Sequence, residues 1–186
     1  MPLKHSVAHP LFTAIAALLS LHATASDNPG AHQHGFAELQ IAIEDNRADI
    51  LLLSPAYNLL GFEHQPRTSG QHQQLQALNQ WATTTPLLNT PENTCRITGA
   101  SFQGDSSQDA GNGHSHHDHA HHDNGHSDLE ITQSLICEGL TGHRTLTTPL
   151  TAQFPALEQL KIQWVGTSGQ GATRLERGQS QFDINH

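Results

Sequence analysis

Residues 34–54 decide the fold: His34-Gly-Phe-Ala-Glu-Leu-Gln-Ile-Ala-Ile-Glu-Asp-Asn-Arg-Ala-Asp-Ile-Leu-Leu-Leu-Ser54. Ala37, Leu39, Ile41 and Ile43 fall on one side of an extended chain, and Glu38 and Gln40 on the other, which is the alternation of a half-buried strand. Glu44-Asp45-Asn46 supplies turn chemistry. Arg47 to Ser54 then resumes as a second strand, ended by Pro55. Because Ile50 to Leu53 is apolar on both faces, this strand belongs inside its sheet rather than at its edge.

Downstream, Ser54 to His64 reads as a short helical turn followed by a loop. Thr68 to Trp81 reads as an amphipathic helix: Thr68 and Gln71 have capping-box spacing, and Leu75, Leu78, Trp81 and Ala82 share a face. Thr83-Thr84-Thr85-Pro86 is expected to stop it. Cys95 to Phe102 and Leu129 to Cys137 read as the two arms of a long antiparallel hairpin. A register with Cys95 opposite Cys137 also sets Ile97 opposite Leu135 and Ser101 opposite Ile131. Leu146 to Leu150 and Leu160 to Trp164 are further expected strands. Gly166 to Gly171 is an expected turn, and Arg174-Leu175 and Gln179 to Ile184 are short extended pieces. The fold class is α+β: a β-rich single domain, an antiparallel sheet with one principal helix, carrying a long disordered His-rich loop at about 103–128.

That loop holds the chemistry. Residues 114–126 contain seven of the sixteen histidines of this 186-residue chain. They are His114, His116, His117, His119, His121, His122 and His126, with Asp118 and Asp123 interleaved. With nothing more apolar than Ala120, the tract cannot repay its own ordering entropy, and it reads as a metal-binding segment. Pairs such as His114 with His116 place both imidazoles on one side of an extended chain, four ligands complete a tetrahedral zinc, and the tract could hold roughly one to three ions. Nickel and copper would compete for such ligands, so a general transition-metal buffer is the alternative reading. A second candidate metal site is formed by His32, His34, Glu63 and His64, which a hairpin of the first two strands brings to one end of the sheet. The competing account is that His64 bonds a backbone carbonyl and His34 is merely exposed. His72 and His143 stand alone, and His186 is terminal.

Residues 1–25 have the layout of a cleaved secretory signal peptide: Lys4, an apolar run from Leu11 to Leu21, and Ala23-Thr24-Ala25. The run is too short to span a bilayer, and no membrane span is expected after cleavage. Residues 26–186 form the expected zinc-binding domain. The formal charge of −9, about −10 once Lys4 is removed, argues against nucleic acid and anionic membranes as partners. An oxidising compartment favours a disulfide between Cys95 and Cys137 over thiolate metal ligation, since no Cys-x-x-Cys spacing is present. No Gly-x-Ser-x-Gly, His-Glu-x-x-His or phosphate-binding loop occurs, so no catalytic residue is assigned and the chain is read as a non-enzyme; a metal-dependent hydrolase is the remaining minor alternative.

His34-Gly-Phe-Ala-Glu-Leu, Ser54-Pro-Ala-Tyr-Asn-Leu-Leu-Gly-Phe-Glu-His64, the Cys95 strand, the His-rich insert, the Cys137 strand and Phe154-Pro155 occur in this order. In these the chain resembles the ZrgA-like family of zinc-regulated, His-rich periplasmic zinc-binding proteins of Gram-negative bacteria. The resemblance covers essentially all of the mature chain, and Ser54 to His64 is its most specific part. It implies a periplasmic zinc-binding protein made under zinc limitation that assists zinc import, with a periplasmic zinc importer or its binding protein as partner. It carries over no ligand set.

Overall fold

The computed structural model describes residues 33–104, 127–142, 145–167 and 169–184. The alternating segment is β1 (Phe36–Glu44) and, after a turn through Asp45, it pairs antiparallel with β2 (Arg47–Pro55). A short helix α1 (Ala56–Leu60) and the principal helix α2 (Ser69–Thr84) follow. Then come β3 (Cys95–Gly104), β4 (Asp128–Cys137), β5 (Thr145–Thr147) and α3 (Leu150–Gln153). β6 (Gln159–Gly166), β7 (Gly169–Glu176) and β8 (Gln181–Asp183) complete the described elements.

Six strands form one sheet in the order β3-β4-β2-β1-β6-β7, and β5 pairs with β8 separately. β2 lies between β4 and β1, as its two-faced apolar run requires. The α+β class with one principal helix is what the sequence led us to expect, but the sheet is mixed: β1 and β6 run parallel, with Leu39 opposite Ile162. Strand alternation specifies faces, not the direction of a neighbour distant in sequence, so this pairing was invisible in the pattern.

One face is the core. Leu39, Ile41, Ile50, Leu52, Ile131, Leu135, Leu160 and Ile162 are buried there, beneath Leu78 and Ala82 of α2 and Leu87, Leu88, Leu146, Leu150 and Leu157. Each such side chain contributes about 1.5–3 kcal/mol relative to exposure. The only amide side chain buried in this face on β4 is Gln133, which is fully bonded: its Oε1 accepts from Leu87 N at 2.8 Å, and its Nε2 donates to Ala82 O at 2.6 Å and Thr85 O at 2.9 Å. It thereby ties the C-terminal end of α2, where backbone carbonyls have no helical partner, to the sheet.

Several local expectations are corrected. Thr68 caps α2 by accepting from Gln71 N at 3.2 Å, but Gln71 Oε1 accepts from Arg67 N at 2.8 Å, one residue before the cap. The helix also runs through Thr83 and Thr84, whose hydroxyls bond back to carbonyls of Asn79 and Gln80, and stops at Thr85 just before Pro86. In the β3–β4 pair Cys95 faces Cys137 and Ile97 faces Leu135, as expected, but a bulge between Ile97 and Gly99 shifts the rest, so Thr132, not Ile131, faces Ser101. The expected strand at Leu146 to Leu150 ends at Thr147, and Leu150 opens α3 because Pro149 sits in the helical region and starts a turn. β2 includes Pro55, which needs no ladder donor at the end of a strand. β7 begins at Gly169, so the turn after β6 is tighter than the glycine run suggested. Gly171 is required by packing: a Cβ there would lie 2.3 Å from Trp164 Cζ2.

Candidate metal-handling site

The candidate residues gather where β1 begins and β2 ends. Ser54 and Asn58 are four residues apart across the start of α1, and both are buried. Asn58 Oδ1 accepts from Gly35 N at 2.7 Å, while its Nδ2 donates to Phe36 O at 2.8 Å and Ser54 Oγ at 3.2 Å. One amide thus clamps the backbone directly after His34. Gly35 has φ +81, and a Cβ there would crowd the Glu158 side chain at 3.0 Å. That backbone, open to glycine, turns His34 away from the ladder.

His34 is held by two neighbours from the Ser54–His64 segment. Its ring stacks on Tyr57, with centroids 4.5 Å apart and planes 15° from parallel. Its Nε2 lies 2.7 Å from Glu63 Oε1. Gly61 makes this return possible: at φ +80 it closes α1, donating to Tyr57 O at 2.8 Å, and turns the chain back so that Glu63 reaches His34. A carboxylate only accepts, so Nε2 carries the proton and Nδ1 is the basic nitrogen of the neutral ring. Carboxylate-oriented imidazole of this kind is the usual support of a metal-ligating histidine. His34 is half exposed, whereas Glu63 is largely covered.

His64 turns away from this pair. Its Nδ1 is 2.8 Å from Gln65 O, and its ring stacks on Phe62 at 5.4 Å. It lines a cavity of about 290 Å³ together with His72, Phe62, Leu75, Phe102 and Leu129. The carbonyl bond foreseen in the competing account of His64 is therefore present, and it fixes the tautomer in the same way that metal sites do. His72, set aside as solitary in the sequence, faces the same cavity as His64. The signal was there in the helix start: a cap at Thr68 puts His72 in the first turn of α2, back toward His64.

Both ends of the His-rich segment are tied to this region. Gly104 ends β3, and Ser127 precedes β4; both line the cavity. Ser127 Oγ donates to Glu63 O at 2.5 Å, and Ala56 N donates to Ser127 O at 2.8 Å. The candidate ligands His32, His114, His116, His117, Asp118, His119, His121, His122, Asp123 and His126 lie outside the described residues, as do His143 and His186. Among the described residues, no three His, Cys, Asp or Glu side chains assemble in a metal-binding group. Cys95 and Cys137 are joined in a disulfide and are not thiolate ligands. No helix of the described residues is long and apolar enough to cross a membrane.

The β-sheet domain thus brings His34, His64 and His72 to one sheet end, beside the two residues that flank the His-rich insert. The chain belongs to the ZrgA family of zinc uptake proteins, whose family model matches residues 31–184. A role in zinc uptake follows from that membership; the family is one of uptake, not a known enzyme family. No curated protein matches the sequence significantly.

Proposed function

We propose that this protein is a periplasmic zinc-binding accessory protein that captures and buffers Zn²⁺ on the His-rich segment and passes it toward a zinc importer when zinc is scarce. The ligands of capture are His114, His116, His117, His119, His121, His122 and His126, assisted by Asp118 and Asp123. His34 with Glu63, joined by His32, which lies outside the described residues, provides a local site on the folded domain, while His64 turns away from it. The observation that carries this reading is the joint made by Ser127, whose two bonds root the His-rich segment against Glu63 and Ala56, next to the carboxylate that orients His34. The signal-like residues 1–25 and the Cys95–Cys137 disulfide support an oxidising, exported setting.

The two kinds of ligand divide the work. Imidazoles in a low-complexity tract must be ordered as the metal binds, at roughly 1–2 kcal/mol per fixed residue, so they bind more weakly and exchange quickly. Imidazole held by Tyr57 and Glu63 meets little of that cost, so it retains metal longer. Calorimetric zinc titration of the mature protein beside a variant with the seven histidines of residues 114–126 replaced by asparagine tests this. The variant is expected to lose most of its zinc equivalents and keep only those of the folded domain, the tightest of which His34→Ala then weakens. Unchanged stoichiometry in the variant would overturn capture by the segment, and an unaffected residual site in His34→Ala would overturn the local one.

A further inference from the structure

The cavity where β3 ends and β4 begins is lined by two histidines among mostly apolar side chains. His64 donates Nδ1–H to Gln65 O at 2.8 Å, because a carbonyl can only accept; its Nε2 is therefore the lone-pair nitrogen of the neutral ring. Stacking on Phe62 holds the ring in place. His72, in the first turn of α2, lines the same cavity; its backbone N–H bonds to Thr68 O at 3.1 Å and the Thr68–Gln71 cap fixes the turn. The remaining side chains on the cavity include Leu60, Leu75, Phe102 and Leu129. Two imidazoles lining one 290 Å³ hollow, with no carboxylate or thiol among the described residues of its lining, make a donor set suited to one class of ligand.

We propose that His64 and His72 together bind one divalent late transition-metal cation, Zn²⁺ in this protein's setting, in the cavity between α2 and the roots of β3 and β4. The proposal rests on the zinc-handling reading above and adds a site to it. Neutral nitrogen donors suit zinc, nickel or copper and do not suit magnesium or calcium, which take oxygen. Water fills the remaining positions, as in a site that keeps coordination open. With two neutral ligands and no negative side chain among the described residues of the lining, the charge of the cation is left uncompensated, so the site releases metal readily. Such a site suits transit between the His-rich segment and the domain better than storage.

The test uses the full mature chain. Zinc bound at saturation is measured by dialysis and elemental analysis for the parent, His64→Gln, His72→Gln and the double variant. One shared site predicts that each single variant loses the same one equivalent and that the double loses no more. Additive losses, or no loss in either single variant, overturn the pair. Should a variant fail to fold, the unsubstituted protein still decides: it is treated with diethyl pyrocarbonate over a zinc series and mapped by peptide mass spectrometry. His64 and His72 are expected to become protected with one common midpoint. Protection of one without the other, or of neither, refutes the site. Failure of the wider reading shows separately, as unchanged stoichiometry in the variant bearing seven asparagines.

Discussion

Gln133→Leu is expected to destabilise the protein by about 3 kcal/mol, although leucine is closer in character to every other residue around it. The side chain is 2% exposed and makes three hydrogen bonds. Leucine would leave the Leu87 N–H, in a residue that is fully buried, without a partner, at about 1–3 kcal/mol. The carbonyls of Ala82 and Thr85 lose their donor as well, at about 1 kcal/mol each where water does not replace it, and greater apolar burial offsets about 1 kcal/mol of the total. For a domain of this size the melting temperature should fall by roughly 10 °C. With a urea slope of about 2 kcal/mol per molar, the unfolding midpoint falls by about 1.5 M. Urea unfolding followed by tryptophan fluorescence suits the assay, because Trp81 packs edge-on against Phe154 at 4.9 Å beside the affected helix end. Gln40→Leu on the exposed face is the control and should stay within about 0.5 kcal/mol. A Gln133→Leu midpoint within about 0.3 M of the parent would refute the claim that these bonds anchor α2.

Two further outcomes are expected. Replacing both Cys95 and Cys137 with alanine should lower stability by about 4 kcal/mol on the chain-entropy account, given their separation of 42 residues; a loss under about 1 kcal/mol in urea would show that the disulfide constrains the unfolded chain little. Zinc and protons compete for the same imidazole lone pairs, so zinc affinity should be retained above about pH 6.5 and fall steeply below it. Calorimetry at pH 7.5 and at pH 5.5, giving equal affinities, would count against histidine as the main ligand.

The core was largely legible because it obeys simple periodicities. Ala37, Leu39 and Ile41 alternate, and all are buried; Leu78 and Ala82 lie on the expected helix face, also buried. The Cys95–Cys137 and Ile97–Leu135 pairings followed from matching faces, and the bulge that displaced Ser101 did not, because an extra residue at Thr98 leaves no mark in composition. At the candidate site, the sequence brought His34 and Glu63 to one end of the sheet through the hairpin, and they meet at 2.7 Å. The partition of Glu63 and His64 to different neighbours was not readable, since adjacent side chains in a loop diverge according to backbone turns that Gly61 only permits. Asn58 was also missed as the clamp on Gly35 and Phe36, because a buried amide in a short helix resembles an ordinary polar residue until its partners are known.

The parallel contact of β1 with β6 has a consequence for how the chain reaches its folded state. Glu38 and Lys161, bonded at 3.0 Å across that contact, are 123 residues apart. The hairpin of β1 and β2 can close as soon as it is synthesised, but the other edge of β1 has no strand to meet until nearly the whole polypeptide has emerged. Pairings over such separations are slow, since the entropy of closing the intervening chain must be met before the contacts form. A chain threaded through a narrow export channel from its N-terminus would therefore stay unfolded in its larger part during passage, and would complete its sheet only on arrival. The order of strands thus makes completion of the sheet wait on a segment 123 residues downstream of Glu38.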